Sequence, residues 1–127
     1  TREHLALYHH LDIALDPFPY HGTTTTCESL FMGVPVITLA GNTHAMRVGA
    51  SLLTAVSLTD FITTSETAYL AAAADLAADP VRLAHLRTSL RTTLLRSPLC
   101  DGRAHSAKVE FAYRAIWIIT CTSGPRP

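Results

Sequence analysis

The chain has 127 residues and a mass of 13.7 kDa, with ten basic residues, ten acidic residues and a hydrophobic content of 48%. This length allows one domain at most, and the hydrophobic content is typical of a folded core and excludes a disordered chain. Because the formal net charge is zero, no global field draws nucleic acid or an anionic membrane surface, and we expect neither as a partner.

The first half of the chain predicts a strand–helix–strand unit. Residues 12–15 and 34–39 are apolar runs of the length and composition of buried parallel strands. Between them, Thr23 or Thr24 can cap a helix, and Gly33 ends it where a left-handed backbone is easiest. Two strands that flank one helix form a βαβ unit, whose crossover is right-handed.

The second half is predicted to be mainly helical. Residues 45–53, 65–78, 80–96 and 104–119 each carry apolar side chains at helical spacing, whereas residues 58–62 fit either a short strand or a single turn. Two strands are too few for a parallel sheet, which normally has about four to six. We therefore predict an incomplete α/β fold whose remaining strands are supplied upstream.

The start of the chain also suggests a part of a larger protein. The sequence begins at Thr1 without a methionine, and the pattern of residues 2–10 already predicts a helix. We interpret residues 1–121 as a partial lobe and residues 122–127, which lack a periodic pattern, as a loose tail.

The turn after the first strand is the strongest functional signal. Gly22 precedes a run of threonines that begins with Thr23, Thr24 and Thr25, and Glu28 follows about one helical turn later. A helix start exposes unpaired N–H groups with partial positive charge, so it can bind phosphate without a lysine. One threonine is enough for a cap worth about 1 kcal/mol, so the run favours a nucleotide diphosphate site over capping alone.

Metal binding and disulfide bonding are not expected. The cysteines Cys27, Cys100 and Cys121 are odd in number and form no CxxC pair, which favours reduced thiols in a cytoplasmic protein. His21 lies in the turn and can serve either as a general base or as a structural residue. Since no carboxylate partner is visible in the sequence, the structural role is the expected one.

Several segments together resemble a known family. The resemblance extends from His4 to Trp117, and it is carried by residues 12–16, 22–25, 32–39, 47–53, 97–99 and 111–117. In order and spacing these segments are similar to the C-terminal catalytic lobe of O-GlcNAc transferases, the SPINDLY-like glycosyltransferases linked to tetratricopeptide repeats.

The resemblance implies a GT-B architecture, in which two Rossmann-like lobes hold a nucleotide sugar. It implies inverting transfer of N-acetylglucosamine from UDP-GlcNAc to Ser or Thr of an acceptor protein, without a metal or another cofactor. Thr24 and Thr25 match threonines that hold the UDP phosphates, and Glu28 matches the acidic residue that binds the ribose. His4 matches a histidine that lies beside the nucleotide, and Gly22 belongs to the same turn.

The chain departs from the family at two positions and leaves alternatives open. Thr23 stands where animal members have histidine, and Leu7 stands where they have arginine. The family's phosphate-binding lysine, its N-terminal lobe and its repeats lie outside this chain, so no catalytic residue is assigned. We expect the chain alone to bind UDP weakly and to transfer nothing.

One alternative is a related transferase that uses another nucleotide sugar, such as the GDP-fucose of plant SPINDLY proteins, or another acceptor. A second is a non-catalytic interaction module.

Overall fold

The computed structural model describes residues 2–123, apart from the side chain of Arg2. The helices are α1 (Arg2–Ala6), α2 (Thr24–Phe31), α3 (Val48–Ala55), α4 (Glu66–Ala77), α5 (Pro80–Arg96) and α6 (Gly102–Thr122). The strands are β1 (Ala14–Leu15), β2 (Val36–Leu39) and β3 (Ile62–Thr63). Short 3-10 turns cover Leu7–His10, Thr59–Phe61 and Pro98–Cys100.

The three strands form one parallel sheet in the order β1-β2-β3. Ala14 pairs with Val36, and Thr38 pairs with Ile62, so β2 is the central strand. The predicted βαβ unit and the α/β class are therefore confirmed, but the first strand is shorter than predicted and is not buried, since Leu15 is 52% exposed. The ambiguous segment at 58–62 contains both alternatives, because a 3-10 turn over Thr59–Phe61 leads directly into β3.

Local capping signals set the starts of three helices. The side chains of Ser65, Asp79 and Asp101 each accept a hydrogen bond from the backbone amide of the third residue of α4, α5 and α6. The last helix is longer than predicted, since it reaches Thr122, the first residue of the expected tail. Ser123 follows it, and residues 124–127 lie outside the described residues.

The core forms around β2, whose residues are all buried. Helices α3 and α4 contact β2 and β3, while α2 packs against α5. The fully buried apolar side chains include Leu30 of α2, Ile37 of β2 and Leu53 of α3. This packing brings the carboxyl ends of β1 and β2 close to the start of α2, where parallel α/β sheets bind their ligands.

Helix α6 lies outside this core. No described residue of α6 is buried, and the side chains of Tyr113 and Trp117 are both 70% exposed. These aromatic residues therefore do not pack into the core formed by the described residues. Among the described residues, no helix has both the length and the apolar character needed to span a bilayer.

A glycine at the end of α2 sets how closely this helix approaches α5. Gly33 has φ of 80°, and a Cβ atom there would lie 2.5 Å from the backbone oxygen of Arg87. We expect Gly33→Ala to lower the free energy of unfolding by about 1–3 kcal/mol, because it adds backbone strain and overpacking. Gly102→Ala is the matched control, since no atom lies within 4 Å of the added Cβ. Urea denaturation compares the two variants, and equal stability would contradict this assignment.

Candidate functional site

The turn at residues 22–26, called the threonine turn below, is held by a buried carboxylate. The Gly22 amide donates a hydrogen bond to Asp16 Oδ1 at 2.8 Å, so this amide is not available to a ligand. A Cβ atom on Gly22 would overlap the Thr25 hydroxyl, which explains why glycine is needed here. Gly22 thus allows the backbone to pack closely against Thr25 and supplies no hydrogen-bond donor to a ligand.

The next amides along the turn remain free. Within residues 2–123, the backbone N–H groups of Thr23, Thr24, Thr25 and Thr26 donate no hydrogen bond. Thr23 is the N-cap of α2, as predicted, but its hydroxyl makes no capping hydrogen bond. Residues 23–25 are exposed at the start of this helix, where the first N–H groups lack intrahelical partners.

The last threonine of the turn has a structural role. Thr26 is buried, and its hydroxyl donates to the carbonyl oxygen of Gly22 at 2.9 Å. The Ser29 hydroxyl donates in the same way to the carbonyl oxygen of Thr25 at 2.8 Å. These two bonds lock the first turn of α2, so the exposed threonines are presented on a rigid backbone.

Asp16 is the residue on which the turn depends, and the sequence analysis did not identify it. It is 3% exposed, and its Oδ2 accepts a hydrogen bond from Thr38 Oγ1 at 2.7 Å. The Tyr69 hydroxyl donates to the Asp16 carbonyl oxygen at 3.0 Å. The signal in the sequence was an acidic residue that directly follows an apolar run typical of a strand and directly precedes a proline, where a parallel sheet places its polar turn.

His21 is a structural residue rather than a general base. Its side chain is fully buried, with Nε2 at 3.0 Å from the Leu39 carbonyl oxygen and Nδ1 at 3.1 Å from the Gly49 amide. A carbonyl can only accept and an amide can only donate, so the ring is neutral and carries its proton on Nε2. The 3.3 Å approach of Nδ1 to Asp16 Oδ2 is therefore not an ion pair.

Glu28 lies at the centre of a second cluster. His4 Nε2 is 3.1 Å from Glu28 Oε2, and the Tyr8 hydroxyl donates to the same oxygen at 3.3 Å. The two rings meet edge to face, with centroids 5.7 Å apart. Within the described residues, Oε1 of Glu28 has no hydrogen-bond partner, and the side chain is 29% exposed. The fold therefore brings together Glu28 and His4, which are 24 residues apart, and leaves one carboxylate oxygen accessible.

Tyr8 is a member of this cluster that the sequence analysis missed. Burial raises the pKa of its phenol, the neighbouring Ser29 hydroxyl lowers it in part, and the Glu28 carboxylate raises it further. The hydroxyl thus stays protonated at neutral pH and remains a donor to Glu28. Tyr8 follows His4 by four residues, and in a helix this spacing places two side chains on the same face. The spacing could therefore have predicted Tyr8 as a neighbour of His4.

A cavity of about 250 Å³ lies between Tyr8 of the second cluster and the threonine turn, whereas Glu28 and His4 do not line it. Its walls include Tyr8, the residues of β1 and Thr25 of the threonine turn. Thr24 and Glu28 are four residues apart on α2, a rise of about 6 Å along the helix axis at ~1.5 Å per residue. The site therefore presents anion donors at one end and a hydroxyl acceptor at the other.

Among the described residues, neither a set of metal ligands nor a reactive thiol accompanies the two clusters. No set of three or more His, Cys, Asp or Glu side chains within them could hold a metal ion. Cys27, between the two clusters in sequence, has a raised pKa, mainly because of burial and to a lesser extent because of Cys100 and Glu28. Its thiol is therefore a poor nucleophile at neutral pH. Leu7, at the position where the resemblance expects an arginine, is exposed.

Comparison with known proteins places this chain in a family. The sequence profile of glycosyl transferase family 41 matches residues 1–109. Over 121 residues the chain is 50% identical to a probable UDP-N-acetylglucosamine–peptide N-acetylglucosaminyltransferase SPINDLY of Hordeum vulgare and 51% identical to that of Oryza sativa. These alignments cover 95% of this chain and 13% of each relative. The corresponding SEC protein of Arabidopsis thaliana is 35% identical over 117 residues, which cover 91% of this chain and 12% of that protein.

A solved structure agrees with the sequence comparison. The K341M mutant of Thermobaculum terrenum O-GlcNAc transferase superposes with a TM-score of 0.90 at 38% sequence identity. The superposition covers 98% of this chain and 24% of that one, so the three strands and their helices correspond to part of that enzyme. The chain thus belongs to glycosyl transferase family 41, of whose curated SPINDLY members it spans about one eighth of the length.

Proposed function

We propose that residues 1–121 are part of the nucleotide-sugar-binding lobe of an inverting protein O-GlcNAc transferase. In this proposal the full enzyme moves N-acetylglucosamine from UDP-GlcNAc to Ser or Thr hydroxyls of proteins. The observation that carries it is the pairing of free amides at residues 23–26 with the His4–Tyr8–Glu28 cluster one helical turn away. Because the chain belongs to glycosyl transferase family 41, we propose a nucleotide sugar as the ligand of these groups.

The proposed roles follow from the hydrogen-bonding capacity of each group. The amides and hydroxyls of Thr23, Thr24 and Thr25 bind the diphosphate, and the helix dipole of α2 adds a partial positive charge. Glu28 accepts hydrogen bonds from the ribose hydroxyls, while His4 lies beside the nucleoside. Because backbone donors bind the phosphates, this arrangement functions without a metal or another cofactor.

The rest of the reaction needs groups from outside this chain. His21 has both ring nitrogens engaged, so it does not act as the base, and we assign no catalytic residue here. We propose that the exposed aromatic residues of α6 pack against the N-terminal lobe of the same protein, which also contributes to the acceptor site. The chain alone therefore binds nucleotide weakly and transfers nothing. The three free cysteines are consistent with the cytoplasmic location that we propose.

A second candidate function uses the same site with a different nucleotide sugar as the donor substrate. The chain is 47–51% identical to the SPINDLY relatives, compared with 35% to SEC and 38% to the bacterial O-GlcNAc transferase. Leu7 also departs from the arginine of animal members, at a position one residue from Tyr8. These two observations set the chain apart from the SEC and animal transferases, and with the resemblance to plant SPINDLY proteins they carry the alternative of another nucleotide sugar, such as GDP-fucose. Direct comparison of UDP and GDP binding separates the two candidates.

Calorimetric titration of the chain with UDP and GDP tests the proposal. We expect a Kd of roughly 0.1–1 mM for the cognate nucleotide, because a few charge-assisted hydrogen bonds and one helix end contribute only about 4–6 kcal/mol. Thr25→Val should weaken binding about tenfold through loss of one hydroxyl donor to a charged group. In an active enzyme that contains this chain, the same change should raise the KM for the donor.

Thr67→Val is the matched control, because Thr67 is equally exposed on a helix far from the threonine turn in sequence. It should change neither the nucleotide affinity nor the donor KM. Equal effects of the two substitutions would remove the proposed role of Thr25. Absence of binding by either nucleotide would favour a non-catalytic interaction module.

A further inference from the structure

One arginine on α5 links the N-terminal segment, defined here as residues 2–11, to the end of α2. Arg87 NH1 donates hydrogen bonds to the carbonyl oxygens of Tyr8 at 3.2 Å and of Met32 at 3.3 Å. Its NH2 donates to the carbonyl oxygen of Leu11 at 2.5 Å. A single guanidinium group therefore holds the 3-10 turn of the N-terminal segment and the C-cap of α2 together.

The N-terminal segment has few other attachments. Among its described side chains only Tyr8 is buried, and its side-chain hydrogen bonds to the rest of the chain are those of His4 and Tyr8 to Glu28. The Asp12 carboxylate lies 3.9 Å from Arg87 but is 83% exposed, so it adds little. The position of this segment therefore depends mainly on Arg87 and on the burial of one ring.

The end of α2 is fitted closely to Arg87. Gly33 has no Cβ, and this allows the helix terminus to contact the backbone of α5 at Arg87. The next turn of α5 adds a separate contact, in which the Arg91 guanidinium stacks 4.1 Å from the centroid of the Phe31 ring. Arg87 and Arg91 thus both attach α5 to α2, but only Arg87 also bonds to the N-terminal segment.

We propose that Arg87 is a positioning residue for nucleotide binding, which it controls by holding Tyr8 and His4 against Glu28. This inference rests on the proposed function of the site. The planar fork of arginine supplies several N–H donors in fixed directions, and three carbonyl oxygens accept them here. A lysine ammonium has three donors but no fixed fork, so it does not reproduce this arrangement.

Hydrogen–deuterium exchange on the intact chain tests the positioning role directly. In Arg87→Ala, backbone amides of the N-terminal segment should exchange about tenfold faster, because local opening costs less free energy. Amides of β2 and α4 should keep their protection. In the matched control, Arg91→Ala, exchange in the N-terminal segment should stay as in the parent. Unchanged exchange in that segment, or faster exchange throughout the Arg87 variant, would overturn the proposal.

A double-mutant cycle with His4 tests whether Arg87 acts through the cluster. Arg87→Ala should weaken nucleotide binding about tenfold, and adding His4→Ala should cause little further loss, since residues that act as one unit are not additive. In the Arg91→Ala background, His4→Ala should still weaken binding. Full additivity with Arg87→Ala would contradict the proposal.

Two outcomes need a further variant or measurement: an Arg87→Ala chain that does not fold, and a parent chain that binds no nucleotide. If Arg87→Ala does not fold, Arg87→Lys replaces it, and the same local rise in exchange and loss of affinity are expected. If the parent chain binds no nucleotide, the proposed function fails, while the exchange measurement still decides whether Arg87 holds the cluster. The two failures are therefore distinguishable.

Discussion

Asp16→Ala is expected to lower the free energy of unfolding by about 2–4 kcal/mol, because it leaves one buried and one partly buried donor without this acceptor. The Gly22 amide and the Thr38 hydroxyl both donate to this carboxylate. A buried group that loses its partner keeps the full cost of its lost hydration. The threonine turn should also lose its fixed position, so nucleotide affinity should fall together with stability.

Urea denaturation of the isolated variants measures this effect. Asp101→Ala is the control, since Asp101 is an exposed aspartate that caps α6, and loss of a helix cap costs about 1 kcal/mol. Asp16→Asn keeps the size of the side chain and one acceptor oxygen, and it should be intermediate. A loss for Asp16→Ala no larger than that for Asp101→Ala would show that the turn does not depend on this carboxylate.

Glu28→Ala is expected to weaken nucleotide binding by about 10–100-fold, which corresponds to ~1.5–3 kcal/mol for hydrogen bonds to a charged group. Its effect on stability should be small, because the side chain is partly exposed and its partners, His4 and Tyr8, belong to the lightly held N-terminal segment. Glu66→Ala is the control, since Glu66 is an exposed acidic residue in the first turn of α4. Calorimetric titration of both variants gives the comparison.

The ligand itself provides a sharper control for Glu28. If this carboxylate binds the ribose, a 2′,3′-dideoxy analogue of the nucleotide lacks the hydroxyls that donate to it. Glu28→Ala should then change the affinity for the analogue much less than the affinity for the natural nucleotide. A loss of the same size for both ligands would mean that Glu28 acts on the site by another route, such as the position of Tyr8.

Much of the local structure could be predicted because its causes are local. The starts of α4 and α5 depend on Ser65 and Asp79, whose side chains accept bonds from backbone amides three residues away. Gly33 ends α2 through its own backbone angle. Strand β3 was harder to predict, since its two residues carry a weak pattern and are held by pairing with β2.

The candidate site also has residues that could be predicted from the sequence and residues that could not. The threonine turn and Glu28 were predicted because a glycine, several helix-capping residues and an acid occur within seven positions of one another. Tyr8 and Asp16 were missed as site residues, and His21 was left with two possible roles. Each of them acts through partners that are distant in sequence, such as Thr38 for Asp16 and Gly49 for His21.

By itself, the sequence determined the α/β class, the βαβ unit and the helix start that carries the threonines, because short-range periodicity and capping chemistry specify such elements. Only the tertiary structure decided which donors remain free. It pairs the Gly22 amide with Asp16 and leaves the amides of residues 23–26 without an acceptor among the described residues. The physical reason is that hydrogen-bond partners across a fold are selected by packing, which no local pattern encodes.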